Sequence, residues 1–182
     1  MFSAQVEEGL ELRLLELRHA ETLFNLIDQN REHLGYWFPW VEKTKEVEDS
    51  KAFIRGGLEQ FAQGNGFHTG IWVDGKLAGT LGLHYISQQS RSTEIGYWLS
   101  AEYEGRGIIT KVCAYLCAYL FNELDLNRIE IDCAETNSRS RRVPERLGFT
   151  LEGKLRQINP TQDGLVDELI YGLLASEWQE EQ

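Results

Sequence analysis

Glu102-Tyr103-Glu104-Gly105-Arg106-Gly107-Ile108-Ile109-Thr110 sets two glycines one residue apart. A strand-like run, Thr93 to Leu99, comes just before this stretch, and a helix-like run to about Phe121 comes just after it. Strand, glycine turn and helix make a cradle for phosphate. Glycine adopts positive φ and lets a ligand come close to the backbone. The first amides of a helix have no partner within it, and the helix dipole adds partial positive charge at the same place. A pyrophosphate is the guest that such a turn fits.

On either side of this turn, strands alternate with helices. Leu10 to Leu15 alternates apolar and polar residues and predicts a strand. Leu17 to Asn30 carries Leu23 and Ile27 at helical spacing. His33 to Val41 is rich in aromatics (Tyr36, Trp37, Phe38, Trp40), and Pro39 speaks against a long helix there. Glu46 to Gln63 predicts a second helix, ended by Gly64-Asn65-Gly66. Phe67 to Val73 and Lys76 to Ile86 predict strands joined at the hairpin turn Asp74-Gly75, and Ser92 to Leu99 the next strand. Beyond the glycine turn and its helix, Arg128 to Cys133 predicts a buried strand, and Ser138 to Leu147 a short helix ended by Gly148. Thr150 to Ile158 pairs with Leu165 to Leu174 as a final hairpin. No repeat or linker divides residues 1–182, so the order implies one α/β domain with a mixed sheet.

The formal net charge of -11 excludes a general nucleic-acid or anionic-membrane binder, which needs a basic face. It suits a cationic partner such as an amine only weakly, and solubility is the favoured reading of it. Cys113, Cys117 and Cys133 form no C-x-x-C pair and have no neighbouring histidine, so core packing is expected and no metal. With no secretory pattern or apolar span visible from Met1 to Leu10, reduced thiols and a cytoplasmic setting are expected.

A kinase-type phosphate loop needs Lys followed by Ser or Thr after its last glycine, but Ile108 follows Gly107. A dinucleotide loop needs a third glycine where Thr110 stands. The segment instead resembles the coenzyme A pyrophosphate loop of the GNAT acetyltransferases, Q/R-x-x-G-x-G/A. Gly105 and Gly107 fall on its small positions, while Glu102 replaces the usual Gln or Arg and Ile109 a frequent small residue. A second stretch strengthens the likeness: Asn137-Ser138-Arg139-Ser140, Val143, Glu145-Arg146-Leu147-Gly148-Phe149 and Glu152-Gly153. It resembles the N-x-x-S…E-R-x-G-F-x-x-E-G signature of the ribosomal-protein N-terminal acetyltransferases, the RimJ/RimL branch. Glu94-Ile95-Gly96-Tyr97-Trp98 matches the strand before the loop in that branch.

The resemblance implies a mixed, mostly antiparallel twisted sheet of about seven strands with about four helices and a splayed central strand pair. It implies acetyl-CoA as co-substrate and an amine as acceptor. The backbone from Gly105 through Arg106, Gly107, Ile108 and Ile109 to Thr110 would hold the pyrophosphate, with the Thr110 hydroxyl and the Arg106 charge in support. Tyr97, Trp98 and Leu99 would flank the pantetheine, and Asn137 would bond it or the acceptor backbone. Arg139 or Arg142 would meet the 3′-phosphate; a solvated helix face is the alternative for this arginine cluster. Glu94 is the expected base, although a carboxylate near about 4.3 is a poor one unless buried. The position where many members keep an acidic tyrosine is Pro144 here, which leaves Ser140 as the expected proton donor to sulfur. Capping of the following helix is the competing role for Asn137 and Ser140.

Trp37, Trp40, His84 and Asp167 are the expected acceptor-side residues, with His84 and His68 each able to face either that site or the core. The leading expectation is acetyl transfer to a protein N-terminal amine, such as that of a ribosomal protein, in a chain that could associate with copies of itself. A polyamine or aminoglycoside acetyltransferase and a catalytically silent coenzyme-binding module are the alternatives.

Overall fold

The computed structural model describes residues 3–179. Eight strands form one sheet: β1 (Ser3–Glu7), β2 (Leu10–Leu14), β3 (His68–Val73), β4 (Lys76–Ser87), β5 (Ser92–Leu99), β6 (Arg128–Ala134), β7 (Thr150–Thr161) and β8 (Gly164–Leu174). The five α-helices are α1 (Ala20–Gln29), α2 (Arg31–Gly35), α3 (Val47–Ala62), α4 (Ile108–Asn122) and α5 (Ser138–Arg146). The sheet order is β1-β2-β3-β4-β5-β6-β8-β7, and every pairing is antiparallel except β5 with β6. Parallel neighbours need a crossover, and the glycine turn with α4 supplies it.

The count exceeds expectation by one strand and one helix. β1 is a five-residue edge strand with no fully buried residue; Ala4 and Val6 alternate with polar neighbours, a pattern too short and too weakly apolar to stand out. α2 is five residues long with Leu34 as its one buried residue, too short for a helical period to show. Pro39 instead begins a 3-10 turn, Pro39–Lys43.

Hydrophobic clusters lie on both faces of the sheet. α4 buries Val112, Cys113, Leu116, Cys117, Leu120 and Phe121 against Ile95, Ile129, Ile131, Cys133, Leu169 and Tyr171. All three cysteines are buried thiols within this cluster, as expected. α1 and α3 bury Leu23, Ile27 and Ile54 with Trp72, Leu77 and Trp98 on the other face. Because side chains alternate along a strand, this division sorts the polar residues too. Glu94 and Trp98 share the α1/α3 face, as do Glu130 and Asp132, whose neighbours Ile129, Ile131 and Cys133 pack toward α4.

β5 and β6 pair only at Ser92 with Arg128, Thr93 with Ile129 and Glu94 with Glu130. Beyond that point β5 follows β4 as far as Leu99, and β6 follows β8 as far as Ala134. The expected splay is therefore present. It leaves backbone donors and acceptors on the two facing edges without a partner strand, an arrangement that persists only where another group can satisfy them.

Candidate active site

Two cavities open on the splay. The first, about 730 Å³, is lined by Gly105, Gly107, Ile108, Ile109, Thr110, Tyr97, Trp98, Leu99, Asn137, Ser140 and Arg142. These are the residues expected to meet the coenzyme, Arg106 excepted. Gly107 is the N-cap of α4 with φ +73°, and Gly105 has φ +74°, both in the left-handed region that disfavours other residues. A Cβ on either would meet nothing within 4 Å, so the turn opens onto space. The first helical bond of α4 runs from the Lys111 amide to the Gly107 carbonyl, which leaves the amides of Ile108, Ile109 and Thr110 ahead of the ladder. No acidic side chain occupies that first turn. Open space, free amides and a positive dipole end together fit a diphosphate.

Arg106 turns away from this space. Its guanidinium donates to the Glu102 carbonyl at 2.9 Å and lies 5.2 Å from the Tyr103 ring centre, bracing the loop instead of lining the cavity. Arg139 lines the cavity but is paired with Glu104, which also meets His33 Nε2 at 3.2 Å. Arg142 and Arg146 line it too, and neither carries an ion pair among the described residues.

The second cavity, about 720 Å³, lies on the α1/α3 face and includes Trp37, Trp40, His68, His84, Glu94, Asp132, Asn159 and Glu168 in its wall. The aromatic run does not stand out in solvent: Trp37 and Trp40 are half-buried, and the Trp40 ring centre lies 6.2 Å from that of Trp98. Glycines make room for both histidines, since a Cβ at Gly82 would strike His68 and one at Gly96 would strike His84. Burial, with a minor contribution from His84, pushes His68 down to about 4, so its imidazole is neutral. His84 Nδ1 lies 2.9 Å from Glu94 Oε1, and this bond holds the imidazole above its ordinary value.

Asp167 does not reach this cavity. It accepts from the Gln157 amide at 2.9 Å and pairs with Lys154 at 3.1 Å. Its neighbour Glu168 lines the wall instead, because adjacent strand residues point to opposite faces. Asp132 and Glu168 were not anticipated. The run Arg128-Ile129-Glu130-Ile131-Asp132-Cys133 alternates charge with apolar side chains, a period-two signal that marks a charged face on the strand expected to be buried. Carboxylate oxygens of Glu94, Glu130 and Asp132 lie within 4.8 Å of one another. Burial first, then the charges of Glu94, Glu130 and Glu168 against an opposing contribution from His84, push Asp132 up to about 7.

Trp37, Phe38, Tyr97, Trp98, Asn137 and Ser140 line both cavities and so mark their junction. Here the capping question resolves: the Asn137 side chain caps α5 by accepting from the Ser140 amide at 3.1 Å. The Ser140 hydroxyl is not used as the cap. It lies 3.3 Å from the Tyr97 hydroxyl, which also donates to the Ser140 carbonyl at 3.2 Å. Burial holds the Tyr97 phenol well above its ordinary value, so it stays a neutral donor.

The acetyltransferase (GNAT) domain model matches residues 9–150. YdaF of Bacillus subtilis strain 168, provisionally named a ribosomal N-acetyltransferase, is 42% identical over 188 aligned positions that span 100% of both chains. The solved structure of RimL, the ribosomal L7/L12 alpha-N-protein acetyltransferase in complex with coenzyme A, aligns with a TM-score of 0.91 at 25% identity, covering 95% of this chain and 98% of that one. The microcin C7 self-immunity acetyltransferase MccE, in complex with acetyl-CoA and AMP, aligns with a TM-score of 0.87 at 28% identity over 93% and 94% of the two chains. The chain belongs to the GNAT family and is an acetyl-CoA-dependent N-acetyltransferase.

Proposed function

We propose that this enzyme acetylates the N-terminal α-amine of a protein, with a ribosomal protein as the acceptor and the cytoplasm as its setting. The observation that carries this reading is the meeting of two unlike cavities where β5 and β6 part. One is built to hold a diphosphate; the other is walled by tryptophans and carboxylates and suits an ammonium on a peptide. The ribosomal acceptor is supported by the names of YdaF and RimL.

Acetyl-CoA supplies an activated thioester, and the chain supplies position and protons. Amides of the α4 N-terminus hold the diphosphate, while Arg142 and Arg146 offer charge nearby. Glu94 and His84 orient the incoming ammonium by charge and hydrogen bonding. The Ser140 hydroxyl, held by Tyr97 at the junction, passes a proton to the departing sulfur. Direct transfer in a ternary complex follows from having both substrates in adjoining cavities.

A small polycationic amine is the second reading, favoured by the acidic face formed by Glu94, Asp132 and Glu168. A thiol-release assay separates the two, using ribosomal-protein N-terminal peptides, spermidine and an aminoglycoside as acceptors. The expected result is a kcat/KM at least about tenfold higher for the peptides. Preference for spermidine or the aminoglycoside would establish the second reading, and acetyl-CoA binding without turnover would mark a silent module.

A further inference from the structure

Resting on the acetyl-transfer reading above, we propose that Asp132, not Glu94, takes the proton from the acceptor ammonium. Four carboxylates occupy this face of the parted strands, and three of them are engaged. Glu94 meets His84 at 2.9 Å, Glu130 is paired with Arg128, and Glu168 accepts from the Asn159 amide group at 2.9 Å. Asp132 differs: its Oδ1 is buried and has no hydrogen-bond partner among the described residues. It stands two residues past the last β5–β6 pair, in the wall of the acceptor cavity, on the same face as Glu94 and His84. A buried acceptor without a donor is costly, and an incoming ammonium is the donor that would satisfy it.

The surroundings also suit Asp132 to the task. Burial first, then the charges of Glu94 on β5, Glu130 on β6 and Glu168 on β8, push Asp132 up to about 7, with His84 on β4 opposing them. An α-ammonium titrates at about 7.7–8.0, so transfer to such a carboxylate is uphill by only about one unit. From a lysine side chain, at about 10.4, it is uphill by more than three. The same group therefore favours α-amines over ε-amines. In the step, an ammonium N–H bond breaks and an O–H bond forms on Asp132. The freed lone pair forms the new C–N bond to the acetyl carbon as the C–S bond breaks. A second N–H proton reaches the sulfur through the Ser140 hydroxyl, and the proton on Asp132 leaves to solvent.

The test pairs a titration with kinetics. In protein labelled with carboxyl-¹³C aspartate, the resonance lost in Asp132→Asn is expected to titrate near 7; a midpoint below about 5 overturns the proposal. With an N-terminal peptide as acceptor, Asp132→Asn is expected to lower kcat about 100-fold or more and to flatten its rise with pH. Acetyl-CoA affinity by calorimetry should stay within about twofold, because Asp132 lies outside the coenzyme cavity. Glu94→Gln is expected to raise the peptide KM while keeping a pH inflection, moved to lower pH because the Glu94 charge no longer raises Asp132. The reverse pattern, with the inflection lost in Glu94→Gln and kept in Asp132→Asn, overturns the proposal and leaves acetyl transfer standing. Wild-type enzyme that binds acetyl-CoA yet turns over no peptide, spermidine or aminoglycoside overturns acetyl transfer, and this proposal with it.

Discussion

The proposed coenzyme cavity and the proposed acceptor cavity have nearly the same volume, about 730 and 720 Å³, but are made of different material. The side proposed for the coenzyme rests on backbone features: a glycine turn, the open end of α4 and the edge of β5 beyond its pairing with β6. The acceptor side is largely side chain, drawn from β4, β5, β6, β8 and the aromatic segment before α3. Backbone is common to every sequence, so such a site tolerates substitution except where the main chain needs glycine. A side-chain site can be rewritten one residue at a time. This difference lets one donor serve many acceptors on a single scaffold.

The sharpest way to break the comparison is at Gly107. Valine there would have to hold φ near +73°, which costs about 1–3 kcal/mol for a non-glycine residue, and its branches would enter the diphosphate space. Gly107→Val is expected to weaken acetyl-CoA binding by about 100-fold or more in calorimetry while the far-ultraviolet circular dichroism stays native. Unchanged affinity would mean that the diphosphate lies elsewhere.

At the junction, Ser140→Ala removes the hydroxyl but leaves the amide that Asn137 caps. A fall in kcat of about 10- to 100-fold with acetyl-CoA affinity within about threefold is expected, measured by stopped-flow thiol release. Equal losses in both would reassign Ser140 to binding. Tyr97→Phe deletes the hydroxyl that holds Ser140, and the expected loss in kcat is smaller, about threefold to tenfold. A Tyr97→Phe enzyme slower than Ser140→Ala would reverse the order of these two roles.

The smallest effect is thermal and belongs to the acceptor side. The folded protein raises Asp132 from its ordinary 3.8 to about 7, so between those values it keeps a proton that the unfolded chain has lost. The stability contributed by this proton is present below pH 4 and disappears as pH rises through 7. Asparagine titrates nowhere in this range. Relative to wild type, the Asp132→Asn melting temperature is therefore expected to gain roughly 2–6 °C between pH 5 and pH 8 in calorimetry. A difference that does not change with pH would show that burial does not perturb this carboxyl.

Much of the fold was legible because its long elements repeat a pattern. β5, α4 and β8 fall within a residue or two of their expected limits, and Asp74-Gly75 makes the expected hairpin. β1 and α2 escaped because a five-residue edge strand with two apolar residues and a single helical turn give too short a pattern to stand out. In the proposed coenzyme site, the motif points to Gly105, Gly107 and Ser140, which line the cavity, whereas the Arg106 side chain, expected to support the pyrophosphate, bonds the Glu102 carbonyl. The acceptor site was less legible. Asp167 was expected there and its neighbour Glu168 was found, because choosing between adjacent strand residues requires knowing which face is which.

From the chain order alone come the glycine turn, the helix that follows it and the family to which both belong. Such features depend on contacts between near neighbours: positive φ at Gly105 and Gly107, and amides ahead of the first α4 hydrogen bond. Only the tertiary structure decided which carboxylates meet. Glu94, Asp132 and Glu168 lie on three strands, and their encounter depends on register, twist and the end of pairing at Glu94 with Glu130. One residue of slip along any of those strands would turn its carboxylate to the other face of the sheet.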